Sequence, residues 1–238
     1  MMKIVKGLCF GAMLIGIGTA VQAQFRQSVF LNGNLPTGDF ASDATANPAT
    51  PYGVPLTYTE IGKDASLGFG LGYRASYRFD VGVGLVAPFA NIDFLWNTIA
   101  GKWSDQYSNA YFNTPTYFNI PLMGGISYIY DELPWNDISV YGEFGIGTDF
   151  LWITSEGGTD ATGNHEYSYK ATFAFAWMLG AGAYFGEHVS AGLYYYGLGT
   201  HNIDYTEATL NDHALNGTTL PRERRSVGGL MLRIGFHF

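Results

Sequence analysis

The chain ends with the sequence VGGLMLRIGFHF, residues 227–238. Its even-numbered positions from Leu230 onward are large and apolar, whereas the odd-numbered positions are mixed, small or charged and include Arg233 and His237. Side chains that alternate with a period of two point to opposite faces of a β-strand. The chain therefore ends in a strand with one apolar face, and its last residue is the aromatic Phe238.

Segments with the same alternation recur upstream. Residues 65–79 place Leu67, Phe69 and Leu71 on one face and glycine, serine and arginine on the other. Large apolar residues outside and small or basic residues inside are typical of a barrel with lipid outside and a narrow polar lumen. We predict an all-β fold, an eight-stranded antiparallel up-and-down transmembrane barrel, with strands at residues 25–35, 65–79, 81–96, 116–130, 138–153, 169–185, 189–203 and 227–238.

The connections between these strands alternate in length. A proline-rich segment up to Lys63 and the polar segments 98–113, 155–168 and 205–224 are predicted long loops, and three short turns lie between them. In outer-membrane barrels the short turns are periplasmic and the long loops are external. We expect strand 227–238 to pair with strand 25–35, because an unpaired strand edge cannot persist in lipid.

The third strand shows one irregularity. Before Pro88 its apolar side chains occupy odd positions, and beyond it they occupy even positions, so we expect a β-bulge there. The predicted outward residues are Val81, Val83, Leu85, Ala87, Phe89, Ile92, Phe94 and Trp96.

Residues 1–23 read as a secretory signal peptide, with two lysines, a short apolar run and small residues at its end. We therefore predict a single mature domain, residues 24–238. The only cysteine, Cys9, lies in the signal peptide, so neither disulfides nor cysteine metal sites are expected. Of 12 basic and 20 acidic residues, the mature chain loses only Lys3 and Lys6. The remaining negative charge makes nucleic acid an unfavourable partner.

Four segments carry a resemblance to a known family: LNGNLPTGDF (31–40), IPLMGGISY (120–128), VYGEFGIGTDFL (140–151) and MLRIGFHF (231–238). Their order and spacing resemble the small outer-membrane β-barrel domain proteins of the porin-like superfamily, which are similar in shape to OmpA/OmpX-type barrels. The resemblance implies the Gram-negative outer membrane, both termini in the periplasm, and Phe238 as a recognition signal for the barrel-assembly machinery. It implies no single activity.

Charged side chains on the inward parity predict an ion network in the lumen. Arg74, Arg233 and Glu143 lie at similar distances from one end of their strands, so we expect Glu143 to pair with Arg74 or Arg233. A structural plug is favoured over a gate or a proton path, because an eight-stranded barrel is just wide enough for side chains to fill. The inward set is Arg74, Arg78, Glu143, Asp149 and Arg233, together with Lys170 and His237.

A hydrolytic site is a second hypothesis. Parity and a register that sets Val189 opposite Phe238 would place His201 beside Ser226 on the lipid face, where an acid such as Asp204 or Glu207 would complete a triad acting on lipid A acyl chains. The sequence GTHNID around His201 lacks the His-x-Ser-Asn motif of outer-membrane deacylases. Polar residues at the membrane boundary explain the same pattern, so we predict no enzyme.

The remaining polar motifs favour plain explanations. Gly68, Gly70 and Gly72 alternate within a strand and do not indicate a nucleotide site. Acidic residues of the fourth loop, Asp204, Glu207 and Asp212 with His213, lack a fixed ligand spacing, so no metal and no cofactor is predicted. At the outer rim, Arg222, Arg224 and Arg225 are expected to meet lipopolysaccharide phosphates or to pair with Glu223. Interfacial girdles are predicted from Trp96, Trp103, Trp135, Trp152 and Trp177.

The function expected from these features is structural or interactive. The barrel would stabilise the membrane, present its loops outside or act as an accessory subunit of a larger outer-membrane complex. The long proline-rich first loop is the expected partner surface, because functional contacts concentrate on loops. A narrow channel for small solutes and the lipid A hydrolase described above are the alternatives.

Overall fold

A computed structural model describes residues 24–42, 62–99, 111–113, 115–131, 133–134, 137–160, 163–211, 213–214 and 223–238. The predicted signal peptide lies outside these residues and stays a prediction. Thirteen strands occur in the described part: β1 Gln24–Thr37, β2 Gly68–Asp80, β3 Leu85–Asn97, β4 Tyr111–Asn113, β5 Tyr117–Tyr130, β6 Ile138–Ile153, β7 Glu156–Asp160, β8 Gly163–Tyr169, β9 Thr172–Phe185, β10 Val189–Ile203, β11 Tyr205–Leu210, β12 His213–Ala214 and β13 Glu223–His237.

Eight of these strands close into an antiparallel barrel in the order β1-β13-β10-β9-β6-β5-β3-β2. The last strand pairs with the first, with Val29 opposite Phe236. The predicted fold class and the predicted closure by residues 227–238 are therefore confirmed. We call the end of the barrel that carries both chain termini the terminal end, and the opposite end the loop end.

The two faces of the barrel wall have opposite composition. On the outer face apolar side chains are exposed, and Phe173, for example, has 70% of its surface accessible. On the inner face Leu95, Asp93 and Arg233 are all fully buried. An apolar outer face of this extent is suited to lipid rather than water. Among the described residues, no helix combines the length and the apolar character needed to cross a membrane.

The expected β-bulge near Pro88 is wrong. The register between β2 and β3 runs without a shift from Phe69 opposite Trp96 to Asp80 opposite Leu85. Ala87 and Phe89 are consequently buried inside the barrel, at 3% and 7% exposure. The sequence was misleading because Phe89 is an apolar residue that fills the lumen, and its residue type does not distinguish a lipid-facing from a lumen-facing position.

A bulge does occur in β10, where the register with β13 shifts between Gly197 and Gly199. Gly199 has a φ angle of 87°, which is unfavourable for residues with a side chain. The shift reverses the parity of the strand beyond it. Tyr196, before the shift, and Leu198, the residue within it that has no partner on β13, are both buried and point inward.

Three of the predicted loops contain strands. A second, five-stranded sheet has the order β12-β11-β8-β7-β4. We call it the exterior sheet, because its strands are not part of the closed barrel. The exterior sheet is connected to the loop end of the barrel, because the chain continues from β6 into β7 and from β8 into β9. Within this sheet, the ring of Tyr205 on β11 packs against those of Tyr167 and Tyr169 on β8.

A short 3-10 helix, Gly38–Ala41, follows β1 and covers part of the loop end. Its Phe40 is fully buried and packs edge-on against Tyr117, with ring centroids 5.0 Å apart. The rest of the predicted first loop, residues 43–61, lies outside the described residues.

Candidate functional site in the barrel lumen

The centre of the lumen is built around the ion pair of Arg233 on β13 and Asp93 on β3. Nη2 of Arg233 donates to both carboxylate oxygens of Asp93 at 2.8 Å. The same carboxylate accepts hydrogen bonds from Asn32, Asn91 and Tyr196, at 3.0, 2.6 and 2.9 Å. A buried charge is tolerated when it is paired and fully hydrogen-bonded, and Asp93 meets this condition.

This group of five side chains, which we call the central network, connects opposite walls of the barrel. β10, which carries Tyr196, and β3, which carries Asp93, are separated by three strands in either direction around the barrel. The side chains of Tyr196 and Asp93, joined by a hydrogen bond, therefore span the lumen. The central network therefore fills the barrel at this level.

A second ion pair lies beside the central network. Arg74 on β2 donates through Nη1 and Nη2 to the two carboxylate oxygens of Glu143 on β6, at 2.7 and 2.6 Å. This is the bidentate geometry that makes arginine–carboxylate pairs strong. Of the two partners expected for Glu143, the structure has Arg74. The ring of Phe30 lies between the two arginines, with guanidinium carbons 5.1 Å (Arg74) and 4.5 Å (Arg233) from its centre.

Inward glycines make room for these side chains. A Cβ atom at Gly72 would collide with the carboxylate of Asp93, and one at Gly180 would collide with the ring of Tyr194. The absence of a side chain at these glycines thus leaves room for large polar side chains on the neighbouring strands.

At the terminal end, in the opening that we call the mouth, the polar groups are arranged differently. The imidazole of His237 lies between two hydroxyls, with Nδ1 2.7 Å from Ser28 and Nε2 2.7 Å from Ser190. Arg78 reaches across from β2 to β9, and its guanidinium carbon lies 4.7 Å from the centre of the Tyr184 ring. Arg78 is thus half-buried and stacked on an aromatic ring rather than part of the central network.

At the loop end, Asp149 and His201 form a buried pair, with His201 Nε2 3.2 Å from Asp149 Oδ2. The Nε2 atom also lies 3.0 Å from the carbonyl oxygen of Leu198, and Nδ1 lies 2.9 Å from the hydroxyl of Thr172. Nearby on β5, Asn119 is fully buried, and neither atom of its amide has a hydrogen-bond partner among the described residues.

The expected placement of His201 beside Ser226 on the lipid face is wrong. The β10 bulge turns His201 into the lumen, where it is fully buried, and sets it opposite Arg225. Val189 lies opposite Phe236 instead of Phe238. Ser226 instead donates from its backbone N–H and its hydroxyl to Asp39, at 3.1 and 3.0 Å. The backbone hydrogen bond first, and the hydroxyl second, lower the pKa of Asp39.

The other predicted positions have mixed outcomes. Lys170, expected inside the barrel, is exposed between β8 and β9. At the rim Arg225 pairs with Glu223 at 2.8 Å, Arg224 is exposed, and Arg222 lies outside the described residues. Phe238 is exposed on the outer face, and its backbone pairs with Gln27. Trp96, Trp152 and Trp177 face outward, whereas Trp103 and Trp135 fall outside the described residues.

Sequence reasoning missed Asp93, the acid at the centre of the lumen. The alternation of the strand could have identified it, because Asp93 lies between the outward residues Ile92 and Phe94 and must therefore point inward. Tyr196 and Asn32 were missed because a tyrosine or an asparagine on an inner face is compatible with many partners. Within the described residues, no group of three histidine, cysteine or acidic side chains is arranged to hold a metal ion.

No family model matches the chain, and no curated protein matches it. Among solved structures it is similar to the attachment invasion locus protein Ail of Yersinia pestis, with 11% identity over 90% of this chain and 97% of that one and a TM-score of 0.41. It is also similar to a major outer membrane protein of Thermus thermophilus, with 14% identity over 90% of this chain and 100% of that one and a TM-score of 0.44. A third similar structure is the outer membrane protein OprG of Pseudomonas aeruginosa, with 16% identity over 91% of this chain and 95% of that one and a TM-score of 0.39. Similarity this low transfers no function to the chain, and the barrel fold rests on its own strand pairing.

Proposed function

We propose that the chain is an outer-membrane scaffold that holds the exterior sheet outside the cell and conducts no large solute. The observation that carries this proposal is the combination of a lumen filled from wall to wall with a second sheet built on the loop end. The barrel supplies the anchor, and the exterior sheet supplies the surface for a partner.

The central network and the neighbouring Arg74–Glu143 pair support the absence of a large pore. Arg233, Asp93 and Glu143 are buried, and their hydrogen bonds connect strands on different sides of the lumen. Moving any one of them aside would leave a charge unpaired in a low-dielectric interior, which is strongly unfavourable. The network therefore acts as a fixed plug.

The exterior sheet supports an interaction role. Its two edge strands, β4 and β12, each have a neighbour on one side only among the described residues. An edge of this kind presents unpaired N–H and C=O groups to which an extended segment of another protein can add. A larger outer-membrane protein is the proposed partner, and lipopolysaccharide is the proposed contact of the exposed Arg224 at the rim.

Planar-bilayer recording tests the plug. The wild-type barrel is expected to show no stable open conductance, and Glu143→Gln, which removes the charge partner of Arg74, is expected to conduct more. Glu187→Gln is the matched control, because Glu187 is exposed at the terminal end. Steady channels in the wild type would refute the scaffold proposal and favour the narrow channel.

Cysteine labelling tests the orientation of the barrel. Glu166→Cys in the exterior sheet and Glu187→Cys in the turn between β9 and β10 both change exposed residues. A membrane-impermeant maleimide added to intact cells should label only the first. Labelling of the second alone would invert the orientation and refute an external sheet.

A further inference from the structure

The mouth contains two arginines whose charges are not hydrogen-bonded to a carboxylate. Within the described residues Arg78 makes no hydrogen bond or ion pair, and its guanidinium contacts the Tyr184 ring. Arg26 on β1 approaches Glu187 only to 3.9 Å, and that carboxylate is itself 76% exposed. Both guanidinium groups therefore keep most of their N–H donors available.

The strand register brings these two arginines together. Arg26 lies opposite Ser76 in the β1–β2 pair, so Arg78 is its diagonal neighbour on the same inner face. Diagonal neighbours have Cα atoms roughly 7–8 Å apart, within reach of long side chains. Like charges at this separation repel each other, and Arg74, the other diagonal neighbour of Arg26, adds a third guanidinium, although Glu143 neutralises it.

The geometry of Arg78 suits an anion better than solvent alone. Its guanidinium carbon lies over the Tyr184 ring, a contact that uses the face of the guanidinium and none of its N–H donors. At the same end, both nitrogens of the His237 imidazole are already hydrogen-bonded, one to Ser28 and the other to Ser190. Two neighbouring guanidinium groups with available N–H donors attract anions.

Acidic side chains also occur at this end of the barrel, but on different elements. Asp131, Asp137 and Glu187 line a separate cavity of about 540 Å³ between the β5–β6 and β9–β10 turns. In the strand order of the closed barrel, β6 lies opposite β1 and β9 lies opposite β2. Asp131 and Asp137, in the β5–β6 turn, therefore lie on the far side of the barrel from Arg26, whereas Glu187 in the β9–β10 turn approaches Arg26 to 3.9 Å.

We propose that the mouth binds a phosphate-type oxyanion between Arg26 and Arg78. The ligand enters from the terminal end and accepts hydrogen bonds from both guanidinium groups, which relieves their mutual repulsion. The same chemistry is supplied by free phosphate compounds and by the phosphate of a phospholipid headgroup.

Isothermal titration with inorganic pyrophosphate tests the site on the mature chain, refolded in dodecyl maltoside micelles at fixed salt. The wild type should bind one equivalent. Arg78→Gln and Arg26→Gln should each weaken binding roughly tenfold or more, because each removes a charge-assisted hydrogen-bonding partner. Lys170→Gln is the control, since it removes one positive charge from an exposed position between β8 and β9 at the loop end.

Arg78→Lys tests the geometry of the guanidinium separately from its charge, because lysine keeps the positive charge and lacks the planar arrangement of N–H donors. Its affinity for pyrophosphate is expected to lie between those of the wild type and Arg78→Gln. Folding of every variant is checked by gel electrophoresis, because a folded barrel migrates differently before and after heating. The proposal is overturned if the wild type shows no saturable binding, or if Lys170→Gln weakens it as much as Arg78→Gln does.

Repeating the titration in phosphatidylglycerol nanodiscs distinguishes the two sources of phosphate. Binding of pyrophosphate that is weaker there than in micelles, at a salt concentration that screens the negative surface charge of the lipid, indicates that a lipid phosphate already occupies the site. Equal binding in both indicates a free phosphate ligand. Either result supports the site, because both require specific binding that depends on Arg78.

Discussion

Two buried asparagines, Asn32 at the centre of the lumen and Asn119 at its loop end, differ in whether their amides are hydrogen-bonded. In the central network the amide of Asn32 donates to Asp93 and accepts from Arg233. At the loop end Asn119 is as deeply buried, yet neither of its amide atoms has a partner within the described residues. An unpaired buried amide is unfavourable, whereas a fully bonded one stabilises the fold. The hydrogen bonds of Asn32 are therefore expected to stabilise the barrel, and the unbonded amide of Asn119 to weaken it.

The largest expected effect comes from breaking the central ion pair. Asp93→Asn leaves Arg233 buried without a counter-charge and should lower the free energy of unfolding by about 3–5 kcal/mol. Urea unfolding in detergent micelles measures the change. Asp131→Asn, which alters an exposed carboxylate, is the control. Equal stability of wild type and Asp93→Asn would show that the pair does not hold the centre together.

Two matched asparagine substitutions test the comparison directly. Asn32→Leu removes hydrogen bonds to two charged groups and should destabilise the barrel by roughly 1.5–3 kcal/mol. Asn119→Leu replaces an unbonded amide with an apolar side chain of similar size and should leave stability unchanged or raise it. The same urea titrations measure both. A loss at Asn119 as large as that at Asn32 would contradict the distinction between the two levels.

Packing around the central network is tested by a pair of glycines. Gly72→Ala places a methyl group against the Asp93 carboxylate and should cost about 1–3 kcal/mol. At Gly142, by contrast, a Cβ meets no atom within 4 Å, so Gly142→Ala should change stability by less than about 0.5 kcal/mol. If both variants unfold at the same urea concentration, space at Gly72 does not limit the network.

The smallest effect is expected at the edge of the loop end. Hydrogen bonds from Ser226 hold the pKa of Asp39 below its ordinary value of 3.8. A lowered pKa in the folded state contributes stability that is complete above that ordinary value and is lost as pH falls through the lower, folded one. The stability difference between wild type and Asp39→Ala should therefore be constant above pH 3.8 and shrink below it. A difference that grows on acidification would rule out the contact with ionised Asp39.

Much of the wall could be predicted from the sequence. Strands β6 and β10 have the predicted bounds, residues 138–153 and 189–203, because their alternation is regular over most of their length. In β3 the prediction is wrong at Phe89, where an aromatic side chain is as compatible with a packed lumen as with lipid. The sequence predicts loops where the exterior sheet forms, because its strands are short and rich in polar residues.

The sequence by itself determined the number of barrel strands, their antiparallel order and the inward direction of Arg233, because a period of two sorts side chains onto two faces wherever one face meets lipid. Only the tertiary structure decided which inward groups meet. Arg233 and Asp93 are 140 positions apart, and their contact depends on barrel closure and on the tilt and register of every strand between them. One shifted residue in β10 was enough to move His201 from the lipid face to Asp149, since register is a property of paired strands and not of either strand alone.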